Sequence, residues 1–538
     1  MKKPFFLLAA LLILTSATLF SQGKSPETIT ASELKSHVTF LASPLLKGRM
    51  DGDETLDIAA NYLASQAALL GMKPANGDSY FQPFTILRKK ADPAATNIKL
   101  LSAADTVKLS DPFFHIIPQG PASIDVEGDV VFAGYGIRTV NYNDLENQDI
   151  KGKIVIVMNN GPLKDGKPVL NKEFYGDMGF QYKIGALLSP GPKAVLFVPE
   201  PSSGHKAFEE FMSGLAGYLS VTTTLKEEKK DVNTIMNMMP KIIFANRSVA
   251  DALLKGTGKT LEQLQKDIDA TLQPQSFLIE GKRLSATERT FQEEKTLNNV
   301  AAYIEGSNPV KKNEVVVFSA HYDHIGAMGD QVNAGADDDA SGCAALLEMA
   351  EAFSGLKKKP LRSVLFLWVA GEEIGLYGSQ TYVTHPLFPL KQTVADLNMD
   401  MIGRVKEPAD STSETPMTGP DGVFVITGGQ SSELINIAND VDKRSRINLD
   451  YSLSGRQHPL QLFARSDHYN FVKNDIPVLF FTTGLHSDYH TPRDVVGKLD
   501  FEKMELVTRT MYEIGFTVAN RKERIIVDNP FSSWGKEK

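Results

Sequence analysis

The sequence predicts an α/β fold in which helices cover both faces of a mixed, mostly parallel sheet, with a β-rich domain inserted into it. From about residue 290, continuous apolar runs alternate with helical stretches, which is typical of parallel strands buried on both faces. Between residues 111 and 275, short β-like runs are instead separated by glycine-rich turns. The chain has 538 residues, too many for one hydrophobic core, so we expect two domains.

The predicted elements begin with helical spacing over residues 32–72 and short strands over residues 84–109. Later apolar runs predict strands at residues 315–320, 364–370, 394–399 and 476–483. The helices expected to cover them lie at residues 341–353, 434–444 and 501–519, and the insertion has candidate helices at 208–218 and 261–272. We therefore divide the chain into a main domain (27–110 and 282–525), the insertion (111–275) and an N-terminal segment (1–21).

The N-terminal segment has the features of a secretory signal peptide. Lys2 and Lys3 precede an apolar run over residues 5–14, and small residues follow as far as Ser21. This run is too short to span a membrane comfortably. We expect cleavage near Ser21, export to the periplasm or the extracellular space, and no stable membrane association afterwards. The alternative is an uncleaved membrane anchor.

Composition limits the remaining functional classes. The chain is 42% hydrophobic and 23% charged, as in an ordinary soluble enzyme. A formal net charge of −8 and the lack of a Lys/Arg-rich block argue against a nucleic-acid partner. The one cysteine, Cys343, lies in a helical pattern rich in Ala and Leu, so we expect a small buried side chain rather than a nucleophile.

Side chains that can bind metal ions follow the ends of all four predicted strands. In strand order they are His321 with Asp323, Glu372 with Glu373, Asp400, and Tyr489 with His490. A fifth element, Asp337-Asp338-Asp339, directly precedes a predicted helix. Because open α/β sheets bind ligands at the carboxyl ends of their strands, we expect these side chains to converge at one edge.

The types of side chain indicate which metal would bind. They offer imidazole and carboxylate groups without a thiolate, which suits Zn²⁺, with Mn²⁺ or Co²⁺ as alternatives. A catalytic zinc needs three protein ligands, whereas five ligands and a spare glutamate suit two ions about 3.5–4 Å apart. The adjacent residues Glu372 and Glu373 suit two separate roles, because one carboxylate can bind a metal while the other reaches its water.

Five segments carry a resemblance to a known family. In chain order they are HYDHIG, GADDDASG, GEEIGLYGS, LNMDMIG and DYHTP. Together they resemble the co-catalytic dizinc aminopeptidase family, which includes bacterial leucyl aminopeptidases, glutamate carboxypeptidase and the non-catalytic transferrin receptor. The resemblance covers about residues 32–109 and 290–519 and implies a zinc exopeptidase-like fold. Within the insertion, GDVVFAGYGI followed by DIKGKIVIV resembles the protease-associated domain that many members contain.

The resemblance implies a ligand set for two zinc ions per chain. His321 and Asp400 would bind one ion, Glu373 and His490 the other, and Asp338 would bridge them.

Other roles are implied for the neighbouring residues. Glu372 would act as general base, Asp323 would orient His321, and Tyr489 would donate a hydrogen bond to the developing oxyanion. For the remaining candidates we expect structural or supporting roles; these are His324, His468, His486, Asp467, Asp494, and the outer aspartates Asp337 and Asp339.

The implied function is an exported metallo-aminopeptidase that hydrolyses peptide bonds at the N-terminus of peptide substrates. One alternative is a glutamate-carboxypeptidase-like exopeptidase, for which Arg465 and Arg493 lie near the motifs. The others are a glutaminyl cyclase-like enzyme, against which the complete ligand set argues, and a non-catalytic binding relative. The side-chain preference and the oligomeric state are left open by the sequence.

Overall fold

The computed structural model describes most of the chain as two compact units. It describes residues 26–92, 94–102, 106–109, 113–115, 123–176, 179–207, 221–227, 240–328, 330–407 and 416–534. The first unit comprises Met1–Phe84 and Thr296–Lys538, and the second comprises Thr85–Lys295. The predicted signal peptide and the predicted helix at 208–218 lie outside the described residues.

The α-helices of the described residues are numbered along the chain. They are α1 (Ala31–Leu41), α2 (Glu54–Leu69), α3 (Gly179–Leu188), α4 (Arg247–Leu254), α5 (Leu261–Thr271), α6 (Ala340–Ser354), α7 (Tyr377–Thr384), α8 (Ser432–Asp442), α9 (His468–Val472) and α10 (Phe501–Asn520).

The strands are numbered in the same way along the chain. They are β1 (Lys73–Pro74), β2 (Phe81–Ala91), β3 (Asn97–Ser102), β4 (Thr106–Leu109), β5 (Phe113–His115), β6 (Ser123–Phe132), β7 (Ile154–Met158), β8 (Leu163–Lys164), β9 (Lys167–Pro168), β10 (Ala194–Val198), β11 (Val221–Leu225), β12 (Lys241–Ala245), β13 (Phe277–Ile304), β14 (Val315–His321), β15 (Ala327–Met328), β16 (Gln331–Val332), β17 (Ser363–Val369), β18 (Thr393–Met399), β19 (Gly422–Ile426), β20 (Asn448–Asp450) and β21 (Val478–Thr482).

The first unit is built on a mixed sheet with a parallel centre. Strands β17, β14, β18 and β21 pair in that order, and each pairing is parallel. Antiparallel strands flank this centre, with β13 beside β17 and β19 beside β21. The four predicted strands are therefore neighbours, and their carboxyl ends lie at the same edge. The predicted α/β fold class with a mostly parallel sheet is confirmed.

Both faces of this sheet are covered, which explains why the central strands are continuously apolar. All seven residues of β14 are buried. Its Val315 and Val317 belong to a core cluster with Tyr382 of α7 and Phe471 of α9. On the other face, Phe318 packs against Phe353 of α6 with ring centroids 5.8 Å apart. Side chains of a strand alternate between the two faces, so each face needs its own layer of helices.

Polar caps fix where the covering helices begin. The Asp339 side chain accepts a hydrogen bond from the Gly342 amide at the start of α6, and Asp500 does the same for Lys503 in α10. Such caps satisfy amides that have no partner within the helix. The predicted helices at 341–353 and 501–519 therefore match α6 and α10 to within one residue at each end.

The second unit has its own sheet and core. Strands β6, β7, β10 and β12 form parallel neighbours, and β3 and β6 pair with the first part of β13 in antiparallel fashion. The unit starts at Thr85, whereas the predicted insertion starts at 111, because β3 pairs with residues 282–287 of β13, which belong to the second unit. The assignment of the insertion as a protease-associated domain stays a prediction.

The long strand β13 has no counterpart in the predicted elements. It runs from Phe277 to Ile304, and its middle part, residues 289–296, consists of partly exposed and exposed residues that are mostly polar. A polar sequence of this kind lacks the apolar run that predicts a buried strand.

Within the described residues, no helix has both the length and the apolar character needed to cross a membrane.

Candidate metal centre

The carboxyl edge of the parallel strands brings the predicted metal ligands together. His321 is the last residue of β14, Glu373 follows β17 after a short turn, and Asp400 directly follows β18. Asp338 precedes α6, and His490 lies in the loop that follows β21. Since parallel neighbours end at the same edge, residues far apart in sequence meet there.

The ligand atoms form two groups that share one carboxylate. One group consists of His321, Asp338 and Asp400, and the other of His324, Asp338, Glu373 and His490; within each group the atoms lie within 4.8 Å of one another. All five residues predicted to bind metal are therefore included. The second group also contains His324, for which the sequence predicted a supporting role.

Asp338 lies between the two groups with one oxygen directed to each. Its Oδ1 is 3.2 Å from His321 Nε2, which is also 3.5 Å from Asp400 Oδ1. Its Oδ2 is 3.2 Å from His490 Nε2, which is 3.0 Å from Glu373 Oε2. A carboxylate with its two oxygens facing separate ligand groups has the arrangement needed to bridge two cations.

Several of these atoms are buried without a hydrogen bond. In the part of the chain that the structure describes, Asp338 Oδ2, Asp400 Oδ1 and His490 Nε2 have no hydrogen-bond partner, although they lie close to oppositely charged groups. Buried polar atoms normally have a partner, because an unsatisfied one costs about 1–3 kcal/mol. Nitrogen and oxygen donors directed at common points fit two zinc ions, and the residues present are therefore suited to hold them.

His324 supports the second group through Glu373. Its Nδ1 lies 2.8 Å from Glu373 Oε1 and 3.6 Å from Asp338 Oδ2. Its ring packs edge-on against that of His490, with centroids 5.6 Å apart. The hydrogen bond leaves Glu373 Oε2 directed at His490, so His324 fixes which carboxylate oxygen faces the site.

The crowding of the site determines how its groups titrate. Burial alone lowers the pKa of the His490 imidazole, but the carboxylates of Glu373 and Asp338 outweigh it and raise that pKa to about 10. Conversely, burial alone raises the pKa of the Glu373 carboxyl, but the charge of His490 outweighs it and lowers that pKa to about 2. The groups are thus held as ion pairs, and a metal ion that binds them must displace protons from the imidazoles.

Glu372 has a different electrostatic environment from its neighbour. Burial, Glu373 and Asp400 together raise the pKa of the Glu372 carboxyl well above its usual range, against the opposing charge of His321. Its side chain lines a cavity beside Asp338 and Asp400, whereas Glu373 faces His490. The adjacent glutamates therefore have the separate positions that the sequence predicted.

Asp323 positions this glutamate pair as well as His321. Its two carboxylate oxygens accept hydrogen bonds from the amides of Glu372 at 3.3 Å and Glu373 at 3.1 Å. His321 Nδ1 is 3.2 Å from the backbone carbonyl oxygen of Asp323 but 3.7 Å from its carboxylate. Asp323 thus acts on His321 mainly through its main chain and on the glutamates through its side chain.

The two outer aspartates of the Asp-Asp-Asp run orient backbone. Asp337 Oδ1 accepts a hydrogen bond of 2.6 Å from the Gly403 amide. Asp339 accepts hydrogen bonds from the amides of Gly342 at 2.8 Å, Met401 at 3.2 Å and His321 at 3.3 Å. Only the middle aspartate is therefore directed at the ligand groups, and the peptide bond between it and Asp339 is cis.

The remaining predicted supporting residues lie around this network. Asp494 accepts hydrogen bonds from the amides of Asp337 and Asp338, and His486 Nε2 lies 3.4 Å from Asp337 Oδ2. His468 contacts the Phe463 carbonyl oxygen at 2.9 Å, and burial lowers its pKa to about 3, so it is a neutral core residue. Asp467 is fully buried at the start of α9.

Sequence reasoning missed Arg49, which connects the loops of the site. This residue is fully buried and donates to the carbonyl oxygens of Tyr322 at 2.8 Å, Ala334 at 2.8 Å and Gly335 at 3.0 Å. A further hydrogen bond of 2.6 Å reaches the carbonyl oxygen of Leu41. The only available signal was an arginine within the predicted helical spacing over residues 32–72, and an arginine is usually a surface residue.

Asp488 holds the loop that carries Tyr489 and His490. Its carboxylate forms ion pairs with Arg404 at 3.0 Å, Arg493 at 2.7 Å and Lys498 at 2.6 Å. The ring of Tyr489 stacks on that of His490, with centroids 3.8 Å apart and an interplanar angle of 22°. Tyr489 also lines the same cavity as Glu372, and its oxyanion role stays a prediction.

Comparison with known proteins identifies this part of the chain. Residues 299–515 match the family model described as Peptidase family M28. This segment belongs to peptidase family M28. The match includes all five residues of the predicted ligand set, and the resemblance to zinc aminopeptidases that the five motifs indicated is confirmed.

Curated relatives of this M28 segment are similar over part of their length. A probable leucine aminopeptidase of Arthroderma otae is 30% identical over 222 residues, which are 39% of this chain and 56% of that protein. Aminopeptidase YwaD of Bacillus subtilis is 27% identical over 209 residues, 38% of this chain and 42% of that protein. The chain therefore spans about half the length of the curated relatives it matches.

Solved structures share the fold over most of the chain. An aminopeptidase from Aneurinibacillus sp. strain AM-1 has a TM-score of 0.53 at 18% identity, covering 94% of this chain and 98% of that one. BSAP, a zinc aminopeptidase from Bacillus subtilis, has a TM-score of 0.53 at 19% identity, with 93% and 98% covered. At these identities the likeness concerns the fold alone.

Replacing Arg49 by Met should destabilise the first unit by about 3–5 kcal/mol, because four buried carbonyl groups lose a charged donor. Both tryptophans, Trp368 and Trp534, lie in this unit, so their fluorescence during urea unfolding reports on it. As a control, Arg444→Met removes an exposed arginine that pairs with Glu513 at 3.3 Å and should cost at most about 1 kcal/mol. Equal unfolding midpoints for the two variants would contradict the role of Arg49.

Proposed function

We propose that the protein is a two-zinc aminopeptidase that removes single residues from the N-terminus of peptides. The observation that carries this proposal is the position of Asp338, whose two oxygens face separate ligand groups beside the cavity lined by Glu372. His321 and Asp400 would hold one zinc ion, and Glu373 and His490 the other. Bound there, two zinc ions would lower the pKa of a shared water and polarise the peptide carbonyl group.

The residues around the cavity have separate tasks in this reaction. Glu372 accepts the proton of the attacking water and later donates it to the amine of the departing peptide. Tyr489 donates a hydrogen bond to the oxygen of the carbonyl group as negative charge develops on it. Asp323 holds the main chain of Glu372 and Glu373, so the base and its neighbouring ligand keep a fixed spacing.

The charge of the cavity favours attack at an N-terminus. Three carboxylates line it, those of Asp338, Glu372 and Asp400, and such a wall attracts a positively charged α-amino group. A wall of this charge favours the positively charged end of a peptide over the middle of the chain.

The proposal is tested first by hydrolysis of Leu-p-nitroanilide beside its N-acetylated copy, with zinc measured on the same sample. We expect cleavage of the free-amine substrate only, with two zinc ions per chain, because acetylation removes the charge that the carboxylates attract. Cleavage of both substrates at similar rates would refute the requirement for a free N-terminus. A zinc-loaded protein that cleaves neither, but trims C-terminal residues, would be a carboxypeptidase instead.

Substitution of the two adjacent glutamates should separate proton transfer from metal binding. Glu372→Gln should keep both zinc ions and lower kcat by about a hundredfold or more, since the ligand set stays whole while the base is lost. Glu373→Gln should lose zinc as well as activity, because its carboxylate contributes to one ligand group. Metal analysis of the purified variants checks this, and loss of zinc in Glu372→Gln would contradict the assignment.

We also propose that the enzyme is exported. The support is the pattern of Lys2, Lys3 and the apolar run over residues 5–14, followed by small residues. N-terminal sequencing of protein recovered from outside the cytoplasm should begin shortly after Ser21. Recovery of the intact N-terminus in the membrane fraction would favour the uncleaved anchor.

A further inference from the structure

An arginine lines the cavity in which the N-terminal residue of the substrate would lie. Arg465 precedes α9, and its Nη2 is 3.5 Å from the hydroxyl oxygen of Tyr489. Its guanidinium carbon lies 6.0 Å from the centre of the Tyr489 ring. The cation is therefore beside the group that would face the reacting carbonyl oxygen, on the wall of the same cavity as Glu372.

Among the described residues, this arginine differs from its neighbours in having no carboxylate partner. Arg404 and Arg493 both form ion pairs with Asp488, at 3.0 Å and 2.7 Å. Among the residues that the structure describes, no carboxylate oxygen lies within 4.0 Å of the Arg465 guanidinium, although three carboxylates line the same cavity. The guanidinium can accordingly bind the carboxylate of a bound molecule without breaking an ion pair to a described residue.

The rest of the cavity wall is mainly apolar. Met401, Leu462, Phe480 and Leu485 contribute hydrophobic surface, and Ser466 and Thr482 add hydroxyl-bearing side chains. An occupant with an apolar stem and a negatively charged end matches this combination of surfaces. Among amino-acid side chains, glutamate has two methylene groups and a terminal carboxylate, and it can extend further than aspartate.

We propose that Arg465 is a specificity-determining residue that favours substrates with an N-terminal glutamate, through an ion pair with the side-chain carboxylate. This inference rests on the proposed aminopeptidase function. The α-ammonium group of such a residue would face the carboxylates of Glu372 and Asp400, while its own carboxylate faces Arg465. The two charges of the substrate thus meet opposite charges on different walls.

The expected gain in kcat/KM from the ion pair with Arg465 lies between two limits. Arg465 is exposed in the absence of substrate, and exposed ion pairs contribute little. A charge-assisted pair that a bound substrate shields from water contributes more. We therefore expect kcat/KM for an N-terminal Glu substrate to exceed that for the isosteric Gln substrate by about tenfold.

The test compares Glu-, Gln- and Leu-p-nitroanilide with the zinc-loaded full chain and with three variants. In the wild type the Glu/Gln ratio of kcat/KM should be about ten, and in Arg465→Met it should fall to about one. Arg465→Lys keeps a cation and should retain part of the ratio. Arg493→Met removes a nearby arginine that is already paired with Asp488, and it should leave the ratio at the wild-type value. Because each ratio is measured within one protein, partial misfolding of a variant cancels.

Each other outcome overturns the inference. A Glu/Gln ratio near one in the wild type would exclude recognition of the side-chain carboxylate, even if Leu-p-nitroanilide is cleaved and the aminopeptidase function stands. If Arg465→Met lowers the rates of all substrates equally at an unchanged ratio, Arg465 acts only by positioning Tyr489. If no free-amine substrate is cleaved at all, the proposed function itself fails.

A second comparison distinguishes the source of the carboxylate. A dipeptide such as Leu-Gly carries a C-terminal carboxylate, and its amide does not. If Arg465 recognises the N-terminal side chain, Arg465→Met should change the Glu/Gln ratio but not the ratio between Leu-Gly and Leu-Gly amide. The opposite result would show that Arg465 binds the chain terminus, and the inference of a glutamate preference would be wrong.

Discussion

The interaction on which the rest of the first unit depends is the repulsion between carboxylates that are packed into one buried edge of its sheet. Asp338, Glu372, Glu373 and Asp400 lie within a small volume, and burial alone raises the pKa of each. Like charges at such distances are costly in a medium of low polarity. The fold offsets this cost with imidazoles, with backbone amides directed at further carboxylates, and with ligand geometry that suits divalent cations.

The supporting carboxylates explain how this edge keeps its shape. Asp323, Asp339 and Asp494 each accept hydrogen bonds from two or more backbone amides, so their charge is used to fix the loops. Arg49 completes the arrangement, since it holds a carbonyl group within HYDHIG and another in the loop that follows it. Rigid positioning of this kind lets ligands from five separate segments converge with little rearrangement when a metal ion binds.

Much of the fold and the convergence of the candidate ligands were predictable, because both depend on local patterns. Apolar runs identified β14, β17, β18 and β21, and the polar residue at each strand end identified His321, Glu373, Asp400 and His490. The limits of the second unit were less predictable. The polar middle part of β13 lacks the apolar run that predicts a strand. Strand β3 pairs with β13 within the second unit, which extends that unit beyond the predicted insertion. Local spacing contains no information about which distant strand a polar strand will join.

The sequence by itself determined that a parallel sheet would bring imidazoles and carboxylates to one edge. The reason is that short segments of sequence specify both the strands and the side chains at their ends. The family resemblance already implied Asp338 among the three aspartates, but only the tertiary structure shows the physical reason, since Asp337 and Asp339 are bound by amides from Gly403 and Met401. The tertiary structure also decided the positions of Arg49 and Arg465. One arginine is buried among carbonyl groups and the other lines a cavity without a carboxylate partner among the described residues, and this difference arises from packing between segments far apart in the chain.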